Sequence, residues 1–336
     1  MTVEALVDVH AHFLTPRYVE EAKGAGRERP DGMPGWPGWD EDTHLGLMDR
    51  WGVATSMLSI SSPGVHFGDD ARARALARHV NEVGAEVRGR HPDRFGQFAA
   101  IPLPDVDGAL AEAARALDEL GCDGLAVETS AEGVYLGDPR FEPLYAELDR
   151  RRAVVFVHPT SPPHAERIAL GRPRPMLEFI FDSTRAASDL VFNGVFERYP
   201  NIEWIFPHGG GVLPLLAARM ELFRSAFGPD LDLGSADGSG ATVPEQLSRL
   251  WYDVAGTPFP HQVPALTAAF GRERVLYGSD FCWTPAPGVD AQLASIDAAD
   301  PPAPGLTWRG LTSGNARRLF PRLDADGTAA GTAGAI

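Results

Sequence analysis

Short apolar runs alternate with longer amphipathic stretches along most of the chain. The runs have the length of β-strands, and the one at 154–158 is apolar up to its final histidine, which is typical of a strand buried on both faces. The longer stretches space their apolar residues as a helix packed on a sheet does. This alternation predicts a parallel sheet whose strands are joined by helices.

The pattern yields eight strands with helices between them. The strands are predicted at 6–13, 53–61, 95–103, 124–129, 154–158, 202–208, 250–255 and 275–280. The helices are predicted at 42–51, 70–90, 107–120, 139–151, 176–198, 212–226 and 260–270, with two or three more before Phe320. Such a repeat predicts a single-domain (β/α)8 TIM-like barrel. An open doubly wound sheet is the alternative, although its glycine-rich phosphate turn is missing after the first strand.

Three segments lie outside this alternation. Residues 15–39 are rich in glycine and proline and contain Trp36 and Trp39, so we expect a long loop after the first strand, either ordered over the active site or floppy. Residues 228–240 are predicted to form a polar loop. We expect the barrel domain to span 1–322, with its closing helices near the end, and 323–336 to form a flexible tail.

Composition and charge narrow the class of protein. The formal net charge of −16 predicts repulsion from nucleic acid and from anionic membrane surfaces, so a small anionic substrate would need arginines near its site. The apolar runs are too short to span a bilayer, and no signal peptide is visible. The cysteines, Cys122 and Cys282, give no disulfide framework and fit a reducing compartment, which predicts a cytoplasmic protein.

The ends of the predicted strands carry the candidate chemistry. His10 and His12 lie two residues apart, and alternate residues of a strand point to the same side. The fifth, sixth and eighth strands end in His158, His208 and Asp280. Because all strands of a barrel end at one mouth, these side chains are expected to meet there. A lone strand-end histidine is commonly structural, but several at one level predict a metal site.

The donor types narrow the ion. Three histidines offer neutral nitrogens and Asp280 an anionic oxygen, a set that suits Zn2+, with Mn2+ as the competitor. The fourth strand ends with Glu128, and the chain's only lysine lies in the first loop, so a lysine-bridged pair of ions is excluded. One divalent ion is therefore predicted. Its candidate ligands are His10, His12, His158 and Asp280.

Four motifs carry a resemblance to a known family. They are DVHAH at 8–12, VHP at 157–159, PHGGG at 207–211 and GSDF at 278–281. In combination they resemble the amidohydrolase superfamily, in the branch of aminocarboxymuconate-semialdehyde decarboxylase and the aromatic-acid decarboxylases. The stretches 61–68, 92–96, 102–105 and 181–185 are similar to the 6-methylsalicylate decarboxylases in particular. The resemblance runs from about residue 5 to residue 320.

The resemblance implies roles for individual residues. It implies that the four candidate ligands bind the metal and that His208 acts as a catalytic acid or base beside them. It also implies a homodimer in which Arg219 reaches the neighbouring site and binds the substrate carboxylate. Residues 43–49 depart from the semialdehyde enzyme, because its arginine pair is replaced by THLGLMD. This departure favours a small aromatic mono-acid over an aliphatic dicarboxylate.

The predicted chemistry is non-oxidative decarboxylation of a salicylate-type acid. The ring carbon that bears the carboxylate must be protonated before carbon dioxide leaves, and Asp280 fits the proton donor by position. We expect His208 to shuttle protons or to polarise a bound water, and a divalent cation to anchor the substrate oxygens. The arginines are candidates for carboxylate recognition and the aromatics for the pocket wall. The substrate-binding candidates are Arg185, Arg219, Phe281 and Trp283.

Two other functions fit the same residues. A metal-dependent hydrolase of a lactone or amide would use a metal-bound water in place of the substrate oxygen. A barrel that binds a metal without catalysis is the third interpretation, and the full ligand set argues against it. Carbon dioxide release distinguishes the decarboxylase from the hydrolase.

Overall fold

The computed structural model describes residues 4–231, 233 and 240–325. Its centre is a sheet of eight parallel strands that neighbour one another in chain order. The strands are β1 (Leu6–His12), β2 (Val53–Ser59), β3 (Phe95–Ala100), β4 (Gly124–Glu128), β5 (Val154–His158), β6 (Glu203–Phe206), β7 (Trp251–Asp253) and β8 (Val275–Leu276).

The first and last strands close this sheet into a barrel. The Val9 amide donates to the Tyr277 carbonyl at 2.9 Å, the Asp280 amide to the His10 carbonyl at 2.8 Å, and the His12 amide to the Phe281 carbonyl at 2.5 Å. The pairing thus continues beyond β8 itself and ties Asp280 to the histidine end of β1. The (β/α)8 barrel is confirmed, and the open doubly wound sheet is wrong.

Helices surround the barrel and follow the predicted alternation. They are α1 (Pro16–Gly24), α2 (Glu41–Trp51), α3 (Asp70–Arg90), α4 (Val106–Asp118), α5 (Glu142–Arg151), α6 (Ala165–Ile168), α7 (Glu178–Phe192), α8 (Val195–Arg198), α9 (Leu213–Leu231), α10 (Val243–Leu247), α11 (Val263–Phe270), α12 (Ala286–Ala298), α13 (Trp308–Leu319) and α14 (Arg322–Ala325). Aspartate side chains accept a backbone N–H at the starts of α2, α3 and α4, which satisfies donors that a helix start leaves free. None of the helices in the described part of the chain has the length and apolarity needed to cross a bilayer.

Three predicted segments differ from the structure in more than their end residues. The expected loop at 15–39 contains α1, whose first turn is capped by Thr15 accepting from the Tyr18 amide at 3.1 Å. The helix expected at 176–198 is divided into α7 and α8 at Gly194, which has a φ of 65°. The loop expected at 228–240 begins as helix, because α9 continues to Leu231, and 234–239 lie outside the described residues.

The predicted tail at the end of the chain is only partly covered by the structure. Residues 323–325 belong to α14, and the rest of the expected tail, 326–336, lies outside the described residues.

A two-stranded hairpin, Ser130–Ala131 with Val134–Tyr135, follows β4 and was not predicted. Apolar side chains of the strands fill the barrel, among them Val9, Phe98 and Phe156. The polar strand ends therefore lie above a packed core.

Candidate metal centre and active-site cavity

Four buried or nearly buried side chains meet at the mouth of the barrel. His10, His12, His158 and Asp280 each offer one ligand atom, and these atoms lie within 4.8 Å of one another. The Nε2 atoms of His10 and His12 are 3.0 Å apart. Asp280 Oδ1 lies 3.4 Å from the first and 3.3 Å from the second. The structure thus brings together all four candidate ligands.

The outer nitrogens of two histidines are fixed by hydrogen-bond acceptors. His10 Nδ1 lies 3.0 Å from Asp253 Oδ2, and His12 Nδ1 lies 3.0 Å from Ser59 Oγ and 3.4 Å from the Ser59 carbonyl. These acceptors take the Nδ1 protons, so each Nε2 presents a lone pair. With both rings neutral, two Nε2 lone pairs and a carboxylate oxygen at these distances repel one another unless a cation, either a proton or a metal ion, lies between them. The donor set therefore fits one divalent metal ion.

The charges around the site favour a cation. Burial lowers the pKa of His12 and lowers the pKa of His158 well below the usual value, so both stay neutral, the form that binds a metal. Burial also acts to lower the pKa of His10, but the carboxylates of Asp253 and Asp280 outweigh it and raise that pKa to about 10. The negative potential that would hold a proton on His10 would also hold a divalent ion.

Asp280 directs its two carboxylate oxygens to different neighbours. Oδ1 faces the two histidines of β1, whereas Oδ2 lies 3.8 Å from His208 Nε2 and accepts from Thr284 Oγ1 at 3.2 Å. One oxygen is therefore available to a metal while the other contacts a candidate proton carrier.

Asp253 contacts both the metal-ligand candidate His10 and the proton-carrier candidate His208. Besides its bond to His10, its Oδ1 accepts the His208 amide at 3.2 Å and the Ala255 amide at 2.9 Å. His208 has a φ of 55°, and its buried Nδ1 has no partner among the described residues. No role was predicted for Asp253 from the sequence, although its place at the end of β7 was a usable signal.

The turn after His208 admits only glycine at Gly211. Its φ is +64°, and a Cβ there would lie 2.3 Å from the Ile180 carbonyl oxygen. The next amide, Val212, donates to Thr184 Oγ1 at 3.0 Å. The motif at 181–185 thus holds the turn that carries His208.

The same motif explains where Arg185 lies. Asp182 is fully buried and accepts from Tyr135 OH at 2.5 Å, from Arg185 Nη1 at 2.6 Å and from Thr129 Oγ1. Arg185 is therefore the ion-pair partner of Asp182 and does not line the active-site cavity. The bond from Thr129 to Asp182, by contrast, joins α7 to the segment just after β4.

A cavity of about 440 Å³ opens beside the metal-binding cluster. One part of its wall is polar and includes His158, His208, Asp280 and Thr284. Apolar side chains form much of the rest of the wall, namely Met33, Pro175, Met176, Phe179, Ile180 and Trp283. Among the described residues, no arginine or lysine lines this cavity. It is shaped for a small, largely apolar ligand that is anchored at one polar end.

The remaining three substrate-binding candidates lie in different places: one in the cavity wall, one in the hydrophobic core and one on the protein surface. Trp283 lines the cavity, with its ring 5.6 Å from that of Trp36. Phe281 is buried in the core instead, 4.9 Å from the His44 ring. Arg219 is exposed on α9, with its guanidinium 5.0 Å from the Phe223 ring, and does not reach the cavity of its own chain.

The segment after β1 covers part of the cavity, as one of the two expectations had it. Asp31 and Met33 line the cavity, and Ser161 Oγ donates to Asp31 at 2.5 Å. Trp36 donates from Nε1 to the Arg27 carbonyl at 2.9 Å. These contacts order the segment over the barrel mouth.

Comparison with known proteins gives a family and a set of relatives. The amidohydrolase profile Amidohydro_2 matches residues 7–322. The 6-methylsalicylic acid decarboxylase of Penicillium expansum is 33% identical over 326 residues, covering 95% of this chain and 97% of the relative. Decarboxylase macB of Penicillium terrestre is 32% identical over 333 residues, covering 94% and 95%. A solved structure of 2,6-dihydroxybenzoate decarboxylase with 2,6-dihydroxybenzoate superposes with a TM-score of 0.78 at 25% identity, covering 95% of this chain and 100% of the other.

Proposed function

The chain belongs to the amidohydrolase family, and on that premise we propose that it is a metal-dependent, non-oxidative decarboxylase of a small salicylate-type acid. The observation that carries the proposal is the convergence of three imidazoles and Asp280 beside a partly apolar cavity, with His208 next to the second carboxylate oxygen of Asp280. The relatives support decarboxylation over hydrolysis, because the two reported above match along nearly the whole chain and are named decarboxylases.

The proposed metal ligands are His10, His12, His158 and Asp280. Zn2+ is the proposed ion, because three neutral imidazoles and one carboxylate are its usual donors, and Mn2+ is the alternative. When bound, a divalent cation supplies Lewis-acid stabilisation of the substrate carboxylate and its ortho oxygen. Metal analysis of the purified protein distinguishes the two ions.

Asp280 and His208 are the proposed proton carriers. Asp280 delivers a proton from Oδ2 to the ring carbon that bears the carboxylate. The electron pair of the breaking carbon–carbon bond then returns to the ring as carbon dioxide leaves. His208 Nε2, 3.8 Å from Oδ2, resupplies the proton. Each turnover consumes one proton and one carboxylate and yields one phenol and one carbon dioxide.

The cavity wall selects the proposed substrate. A second carboxylate would find no cationic partner in the described wall, whereas a flat ring with a small alkyl group suits Phe179, Ile180 and Met176. Trp283 Nε1 and Gln262 Oε1 are buried in the same wall without hydrogen-bond partners in the described part of the chain, and they are available to hydrogen-bond the ring substituents. A monocarboxylic 2-hydroxybenzoate such as 6-methylsalicylate meets these conditions.

A homodimer is proposed from the surface of α9. Leu215, Leu222 and Leu231 are 74%, 61% and 55% exposed on this helix, and Arg219 lies one turn from both Leu215 and Phe223. A second copy packed on this surface would bury the leucines and bring Arg219 to the partner's cavity. Leu222→Glu should give a monomer by light scattering, Leu222→Ala should stay dimeric, and a dimeric Leu222→Glu protein would contradict the proposal.

A cytoplasmic location is proposed from the state of the cysteines. Cys122 and Cys282 are both free and buried, as expected for a protein that folds in a reducing compartment. Cell fractionation with compartment markers tests this.

A carbon dioxide assay tests the proposed activity. The metal-loaded protein is incubated with salicylate, 6-methylsalicylate, 2,6-dihydroxybenzoate, benzoate and an aryl lactone. We expect carbon dioxide and the matching phenol from at least one 2-hydroxybenzoate, and none from benzoate, which lacks the ortho oxygen. Lactone opening without carbon dioxide release would favour the hydrolase instead.

A further inference from the structure

The third histidine of the cluster lacks an ordinary hydrogen bond at its outer nitrogen. Asp253 accepts from His10 and Ser59 accepts from His12. His158 Nδ1, by contrast, is buried and has no hydrogen-bond partner among the described residues. A metal-bound imidazole generally donates its other ring N–H, which fixes both the tautomer and the ring orientation. His158 therefore needs an acceptor.

Glu128 supplies the nearest carboxylate. Its Oε2 lies 3.6 Å from His158 Nδ1, and this oxygen is also buried without a partner among the described residues. The two residues are direct neighbours in the register of β4 and β5. Two buried polar atoms that lack partners thus lie side by side, and an approach of about 0.4 Å would bring them into hydrogen-bond range.

Glu128 approaches His158 from outside the metal-binding cluster. It lines a neighbouring polar cavity of about 480 Å³, whereas His158 lines the active-site cavity. Glu128 is not a member of the four-residue cluster. Gly64 leaves room for it, because a Cβ on Gly64 would lie 3.1 Å from Glu128 Cγ.

We propose that Glu128 is the positioning residue of His158, accepting its Nδ1–H and turning its Nε2 toward the metal. This inference rests on the metal centre of the proposed function and adds a third outer partner to Asp253 and Ser59. Glu128 acts only through His158 and touches neither substrate nor ion.

Metal affinity is the measurement that tests this role. Glu128→Leu keeps the approximate size and removes the acceptor, whereas Glu128→Gln keeps an acceptor oxygen. The Kd for Zn2+ is measured by chelator competition on the metal-free proteins, alongside their Tm. We expect the leucine variant to bind Zn2+ about 10- to 100-fold more weakly, with the glutamine variant recovering most of the loss.

Glu132→Gln is the matched control. Glu132 lines the same polar cavity, but its side chain is 44% exposed and faces His66 rather than His158. It should bind Zn2+ with the parent affinity. Should the leucine variant fail to fold, Glu128→Asp, which withdraws the carboxylate by one methylene, takes its place with the same expected direction.

Two results separate this inference from the proposed function. Parent affinity in the leucine or aspartate variant overturns the role of Glu128, whatever the enzyme decarboxylates. Weakened Zn2+ binding in a protein that releases no carbon dioxide from any hydroxybenzoate supports the role of Glu128 and rejects the proposed activity.

Discussion

At the scale of single residues, Asp280 combines two proposed tasks through the orientation of its carboxylate. Oδ1 faces the histidines of β1 and Oδ2 faces His208 and Thr284. The backbone enforces this split, since Asp280 has a φ of 58° and its amide donates to the His10 carbonyl. Substitutions at this residue can therefore separate metal binding from proton transfer.

Asp280→Asn should bind metal more weakly but still measurably, and lose turnover by about 10²-fold or more, because the amide cannot deliver the proton. Metal content and kcat measured on the same sample check this. Asp290→Asn is a suitable control, since Asp290 pairs with Arg50 on the surface. Normal turnover by the Asp280 variant would remove the proton-donor role.

His158→Ala should abolish turnover and release the metal, because one of three nitrogen donors is lost. Metal analysis after dialysis, followed by the carbon dioxide assay, measures both effects. His91→Gln removes a histidine that contacts Glu41 away from the cluster and should change neither. Full metal content in the alanine variant would contradict the ligand assignment.

Site residues could be predicted from the sequence where their position depends on a short local pattern. The pair at His10 and His12 follows from the two-residue period of a strand, and Asp280 from its place after the eighth apolar run. The shared role of Asp253 depends on the positive φ of His208 and on the register of β7, neither of which has a sequence signature. Arg185 was predicted to bind substrate, and the structure places it in an ion pair with Asp182, three residues earlier on the same helix.

At the scale of elements, the apolar runs were sufficient for the strands but not for α1. Proline and glycine around 24–38 suggested a continuous loop, whereas Thr15 followed by Pro16 was a helix-start signal that was present and overlooked. Buried Tyr18 and Ala22 then anchor the helix. The missed hairpin after β4 is too short for its alternation to be read from sequence.

Gly211→Ala should destabilise the turn that carries His208. The φ of +64° and the 2.3 Å approach to the Ile180 carbonyl predict a loss of roughly 1–3 kcal/mol in the free energy of unfolding, with reduced turnover. Urea unfolding measures the loss. Gly89→Ala on α3, where a Cβ meets nothing within 4 Å, is the control and should not destabilise. Equal stability of the two variants would show that the turn tolerates a side chain.

At the scale of the whole molecule, the barrel gathers residues from both ends of the chain into one site. His10 and Asp280 are separated by most of the sequence, and the eight-stranded order of the sheet makes them neighbours. This global feature was predictable because the repeated unit fixes it. The oligomeric state was harder to predict from the sequence, because an exposed apolar helix surface does not specify which protein packs on it.

Metal binding should stabilise the whole domain, since the ion binds the folded cluster and not the separated residues. At a free Zn2+ concentration of 100 times Kd, the expected gain is about 2.7 kcal/mol, visible as a higher Tm. The gain should vanish in His158→Ala and return in the parent on metal addition after chelation. If the Tm of the parent protein does not change when Zn2+ is added, the proposed metal centre is contradicted.

The backbone bonds along the seam between β1 and the segment after β8 make metal occupancy detectable at two amides. The Asp280 amide is bonded to the His10 carbonyl and the His12 amide to the Phe281 carbonyl, so exposing either N–H to solvent pulls a ligand out of the cluster. Deuterium uptake at these two positions should therefore slow when the ion is loaded, more than at amides on the far wall of the cylinder. Isotope exchange would then measure transient local opening of the metal centre, and no substrate is needed for the measurement.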